Sequence, residues 1–197
     1  MIIFSSLRQF MRIYQSPAVL ILHFIIIISV ILQIVISNWM SVSVTGVIPA
    51  SGYRLFFTWM HIITGLSFWV SGTLLIALCF HQRGIKHYYP WAFGCFSQIA
   101  ADCRALLHGK LPESAPGGLA TSVQGLGLGA LVLVVLSGTA WLILWAAGSA
   151  YAGEIRNLHK TLTGLIEAYI IGHGAMGLLH FIVWLRKKSV YDNNQTR

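Results

Sequence analysis

The sequence predicts an all-α integral membrane protein, a four-helix bundle with both termini cytoplasmic, and three observations carry that prediction. Hydrophobic residues fill 56% of the 197 positions and charged residues only 9%, where soluble domains carry roughly 25% charge. Four apolar stretches, residues 17–37, 56–80, 118–145 and 161–185, each reach the roughly 20 residues that a helix needs to cross a bilayer. Ten of the 13 Lys and Arg residues flank these stretches on one side. They are Arg8 and Arg12 before the first, Arg83, Lys86, Arg104 and Lys110 between the second and third, and Arg186, Lys187, Lys188 and Arg197 after the fourth. Positive charge marks the cytoplasmic side, so the connections 39–55 and 146–158 face outward. The net charge of +8 thus reports topology and gives no reason to expect a nucleic-acid partner.

The first stretch, "PAVLILHFIIIISVILQIVIS", is longer than the roughly 7–15 apolar residues of a signal peptide, and no convincing small-x-small cleavage site follows it. It reads as a retained span. The second and third are joined by the long inner loop 81–117, whose "WAFGCFSQIAADCRALLHGK" has the amphipathic pattern of a helix lying in the membrane surface. "LPESAPGG" then stops that helix. Aromatic residues agree with the topology: Trp39, Tyr53, Trp59, Trp145 and Tyr151 mark the outer interface, and Tyr88, Tyr89, Trp91 and Trp184 the inner one. Short outer connections favour antiparallel neighbours, and the whole chain, 1–197, reads as one transmembrane domain.

Glycines gather in the spans: Gly65 and Gly72, then Gly125, Gly127, Gly129 and Gly138, then Gly164, Gly172, Gly174 and Gly177. Either helices pack closely there, as small-xxx-small spacing at Gly125 and Gly129 allows, or a flat cofactor needs the room. Cys79, Cys95 and Cys103 form no Cys-x-x-Cys-His motif, which argues against covalent c-type haem attachment and leaves reduced thiols as the expectation.

The fourth span poses the sharpest question, since "HKTLTGLIEAYIIGHGAMGLLH" puts three histidines into an apolar helix. Ionisable residues inside a membrane are costly and mark sites by default. His159 and His173 are fourteen residues apart, which is about 21 Å along the helix and within about 40° of whole turns. The same face therefore carries an imidazole at each depth. His61 lies near the outer end of the second span and His23 near the inner end of the first. A lone histidine in a span is more often hydrogen-bonded to its neighbours than ligating. Two pairs stacked across the membrane instead match the axial requirements of two bis-histidine haems. By depth alone His180 competes with His173 for His23, and it also suits a headgroup contact or a quinone pocket. His81, His87 and His108 fall in the inner loop, where solvated side chains are expected. Zinc catalysis would want a tight three-ligand cluster, and Glu167 is the one acidic residue in any span. The glycines at 125–129 lie inside a span with no strand before them, so they do not form a phosphate-binding loop.

One histidine early in the first span, one in the second, and His-x13-His on the fourth, "HKTLTGLIEAYIIGH", resemble the bacterial cytochrome b561 family, related to the b-type cytochrome subunits of nickel–iron hydrogenases and formate dehydrogenases. The likeness runs from about residue 15 to 185. It implies two haems b, the inner held by His23 and His173 and the outer by His61 and His159, which sets His180 aside as a ligand. It also implies electron transfer between a periplasmic-side donor and membrane quinone, in the bacterial inner membrane. Some stand-alone members of similar size are implicated in oxidising superoxide and reducing ubiquinone. Members often carry a histidine early in the third span; here that position is Gln124, in "SVQGLG", which puts any redox or quinone role there in doubt. No catalytic residue is assigned.

The expected function is thus membrane electron transfer, by a stand-alone quinone-linked oxidoreductase or by an anchor subunit relaying electrons for a separate dehydrogenase or hydrogenase partner. The expected partners are the lipid bilayer, a quinone and a redox protein. Arg54, Arg156 and Lys160 are the cations outside the ten inner ones. They would draw an anionic donor toward the outer haem or anchor helix ends at headgroups.

Overall fold

The computed structural model describes residues 2–43, 47–48 and 51–195. Residues 44–46 and 49–50 of the first outer connection, and Arg197 of the basic C-terminal group, lie outside them. Among the described residues every regular element is helical and none is a strand. The α-helices are α1 (Ile2–Tyr14), α2 (Pro17–Ser37), α3 (Tyr53–Leu66), α4 (Phe68–Arg83), α5 (Ile85–Tyr88), α6 (Ser97–Leu107), α7 (Leu119–Ala146) and α8 (Ala152–Gln195), with a 3-10 turn at Pro90–Phe93.

Four candidate membrane spans follow: Pro17–Ser37, Tyr53–Arg83, Leu119–Ala146 and Ala152–Ser189. The first has the predicted bounds. It opens on Ser16, whose carbonyl accepts from Leu20 N at 2.9 Å, with Pro17 pre-set for the first helical position. The second is interrupted at Ser67, between α3 and α4. There Thr64 Oγ1 donates to Met60 O at 2.6 Å, Ser67 Oγ to Thr64 O at 2.7 Å and Ser71 Oγ to Ser67 O at 3.2 Å. Side-chain donors competing for the carbonyls of the preceding turn disturb a helix in this way. The fourth outruns its predicted bounds at both ends. No Gly or Pro lies between Leu178 and Gln195 to stop it, so the helix continues where the apolar pattern ends.

The chain forms two compact units. The first comprises Met1–Leu20, Arg83–Gly125 and Ala168–Arg197. Here α1, too short and too polar to be read as a span, buries Phe10 against Phe181 and Trp184, with ring centroids 5.5 and 5.7 Å apart. Lys188 Nζ donates to Gln9 Oε1 at 2.7 Å, and the Arg83 guanidinium donates to Tyr14 O. The expected loop helix is α6, and its buried Asp102 uses both carboxylate oxygens. Oδ1 accepts from Gln98 Nε2 at 2.8 Å and Oδ2 from Leu119 N at 2.7 Å. The acid thereby partners one of the amides that the first turn of α7 leaves without an intrahelical acceptor. A side chain at Gly118 would strike that carboxylate. Tyr89 Oη donates to Gly125 O at 2.7 Å, and burial pushes its phenol above the usual range.

The second unit comprises Ile21–Gln82 and Leu126–Glu167. Its predicted outer aromatics pack in pairs, Trp39 with Phe57 at 5.3 Å and Trp59 edge-on to Trp145 at 6.1 Å. Thr58, fully buried, donates to Arg54 O at 2.7 Å. Ile62, Trp141 and Ala152 form a buried apolar cluster against which Trp145 and Ile155 pack.

Candidate cofactor site

Within the second unit, α2, α3, α7 and α8 enclose a cavity of about 500 Å³, of the size that holds a cofactor. Two of the four predicted ligands, His61 from α3 and His159 from α8, line it. Their ring centroids are 6.3 Å apart and the ring planes nearly perpendicular, at 82°. A metal bound by two trans imidazoles, with bonds of about 2 Å, holds the ring centres about 6 Å apart. The pair is therefore spaced for one metal between them.

The surroundings of each imidazole follow from its neighbours. Ser137 Oγ donates its single proton to Val134 O at 3.0 Å, so toward His159 Nδ1, also 3.0 Å away, it acts as acceptor. That assigns the ring proton to Nδ1 and leaves Nε2 with a lone pair, the state a metal ligand requires. Gly138 allows α7 to approach this ring, since a Cβ there would come within 3.0 Å of His159 Cε1.

Beside His61, Gln33 Nε2 donates to His61 O at 3.0 Å and to Thr64 Oγ1 at 2.5 Å. Both partners accept, the threonine because its own proton goes to Met60 O. The amide orientation is thereby assigned, and Gln33 Oε1 is left buried without a partner. His61 Nδ1 and Trp141 Nε1 are likewise buried and unpartnered. All three residues line the one cavity. Each unsatisfied buried polar atom costs about 1–3 kcal/mol, so three around one space are accounted for by something that fills it. Gly164 also lines the cavity, and a Cβ there would meet nothing. Two imidazoles 6.3 Å apart, a largely apolar cavity and open glycine surface fit a haem.

The other predicted residues are placed as follows. His23, on α2, is half-buried in the second unit, and His173, on α8, is half-buried in the first, where its ring stacks on Tyr169 at 5.0 Å and 12°. His180 is half-buried on α8 in the first unit. Of the loop histidines, His81 is exposed on α4, His87 lies 3.5 Å from Arg83, and His108 Nδ1 lies 2.7 Å from Arg104 O. Burial, then the Arg83 charge, hold His87 below the usual imidazole range. The glycines divide between the two expectations. Gly72 packs on Leu131 and Gly125 on the Tyr88 backbone, while Gly164, Gly172, Gly174 and Gly177 face open space. Cys79, Cys95 and Cys103 form no disulfide. Gly138 is one of the span glycines noted in the sequence, whereas Gln33, Ser137 and Trp141 carry no signal read there.

Four apolar spans and a half-buried imidazole pair lining a ligand-sized cavity define a helical membrane protein of the cofactor-binding class. The prokaryotic cytochrome b561 family profile matches residues 14–188, and the chain belongs to that family. No curated protein and no solved structure matches it significantly. Membership makes the chain a multi-pass bacterial membrane protein that binds haem b and transfers electrons.

Proposed function

We propose that the chain is a single-domain di-haem cytochrome b of the inner membrane with both termini cytoplasmic. His61 and His159 hold the outer haem, and His23 and His173 the inner. Electrons pass from a donor on the periplasmic side, superoxide among the candidates, to membrane quinone. The observation that supports this reading most is the 6.3 Å separation of the His61 and His159 rings, both of which line one largely apolar cavity.

Bound there, haem would be held by His61 and His159 and would supply a reversible one-electron couple. The chain's own residues do the remaining work. Ser137 keeps the His159 proton on Nδ1, Gln33 fixes the α3 backbone at His61, and the apolar walls of Leu131, Val134 and Val135 exclude water. An anchor-subunit role, relaying electrons for a separate dehydrogenase or hydrogenase, is the second reading; stable co-purification with a larger enzyme would favour it.

The test is a reduced-minus-oxidised visible spectrum with a haem-to-protein ratio on detergent-purified protein. Two haems b per chain are expected, falling to about one in each of His23→Ala, His61→Ala, His159→Ala and His173→Ala. A colourless protein that does not take up haem would overturn the proposal.

A further inference from the structure

The cavity is polarised along α8. Arg156, Lys160 and Glu167 are the charged residues that line it. Arg156 precedes His159 by one turn, about 4.5 Å along the axis and about 60° around it, and Glu167 lies about 16 Å beyond Arg156. One end of the cavity is cationic and the far end carries the carboxylate.

Trp141 belongs to the cationic end. It clusters with Ala152, and Ile155, the residue before Arg156, packs against that cluster. Its side chain is 7% exposed and lines the cavity, yet Nε1 has no acceptor. An indole N–H can only donate, so the partner missing from this end is an acceptor. Arg156 spends one N–H on Asn157 Oδ1 at 3.2 Å; the other donors of its guanidinium remain for a second partner. The only ion pair among the described residues joins Lys187 to Glu113, so no protein carboxylate neutralises Arg156 or Lys160. An unpartnered donor and two unpaired cations around one end of a cavity specify a carboxylate.

We propose that Trp141 Nε1, Arg156 and Lys160 hold the propionate carboxylates of the haem ligated by His61 and His159, fixing it with its propionate edge toward the cationic end and its apolar edge toward Glu167. This rests on the reading that those two histidines ligate haem. Charge-assisted hydrogen bonds to a carboxylate are short and roughly twice as strong as neutral ones. The end that binds the propionates therefore selects one of the two orientations that the axial ligands alone would accept.

The test uses full-length protein depleted of haem and reloaded with either protohaem or its dimethyl ester, which keeps the iron and ring but removes both negative charges. Retention of each is followed from the visible spectrum, and the midpoint potential is measured for the acid form. Wild type is expected to retain the acid about tenfold better than the ester. Arg156→Gln with Lys160→Gln should abolish that preference and lower the potential of the site by up to about 59 mV, a tenfold change in a one-electron equilibrium. Trp141→Phe, which keeps an aromatic ring in the cluster, should weaken the preference, and Arg156→Lys should restore most of it, so the answer does not hang on one variant folding. Equal retention of acid and ester by wild type, alongside haem loss in His159→Ala, would leave the haem assignment standing and overturn the clamp. A preference that persists undiminished in His159→Ala would overturn both. An unchanged preference in every cation and tryptophan variant would place the propionates elsewhere.

Discussion

The two units treat buried polarity in opposite ways. In the first, Asp102 is 5% exposed and both of its oxygens accept hydrogen bonds, from Gln98 and from the start of α7. In the second, Gln33, His61 and Trp141 each keep a buried atom with no partner, and all three residues line one cavity. A saturated buried group closes a piece of structure, whereas several unsaturated groups around one space describe the ligand that belongs there. Burial alone would not separate Asp102 from Gln33, but counting their partners does.

That contrast is breakable by substitution. The largest effect is expected at the unsaturated end, where His61→Ala removes one haem per chain in the spectroscopic ratio. Asp102→Ala should leave that ratio at the wild-type value and instead lower the thermal unfolding midpoint. The lost cap and the donors left behind cost about 1–2 kcal/mol. If Asp102→Ala shed haem while keeping its midpoint, the division between the two units would be wrong.

Ser137→Ala comes next. It takes away the acceptor that holds the His159 proton on Nδ1, and outer-sphere partners of metal ligands are worth about 10-fold or more in affinity. Haem transfer to an acceptor protein should accelerate accordingly, with the fold unchanged by circular dichroism. The smallest effect sharpens the comparison by changing sign. Gly164→Ala, where a Cβ meets nothing, should stabilise the haem-free protein by up to about 1 kcal/mol through helix propensity. In the loaded protein the same methyl intrudes on occupied space, so haem retention should fall. Stabilisation of both forms would mean that the cavity wall at Gly164 is not part of the haem surface.

Much of this fold was legible in the chain because span detection depends on one property, a long run without charge. Pro17–Ser37 emerged with its bounds intact. α1 did not, since its burial depends on Phe10 meeting Phe181 and Trp184, side chains more than 170 positions away. The extension of α8 beyond residue 185 was hidden because apolar periodicity ends there while helical propensity does not. At the site, the pairing of His61 with His159 was readable from depth alone, because one helix rise per residue places both near the same end. Gln33 and Ser137 were not, since their roles depend on the rotation of α2 against α3 and of α7 against α8. A signal was nonetheless present: Gln33 is the one amide in the first span, and a polar side chain there requires a partner.

The Asp102 contact also bears on how such a chain is made. The acid precedes the amide it caps by seventeen residues, so during synthesis it emerges first. The acceptor for the opening turn of α7 is therefore already in the chain when Leu119 is added. A span whose first amide is already bonded starts its passage into the lipid with one fewer polar group to dehydrate. The inner loop in this sense serves as an assembly jig for the helix that follows it.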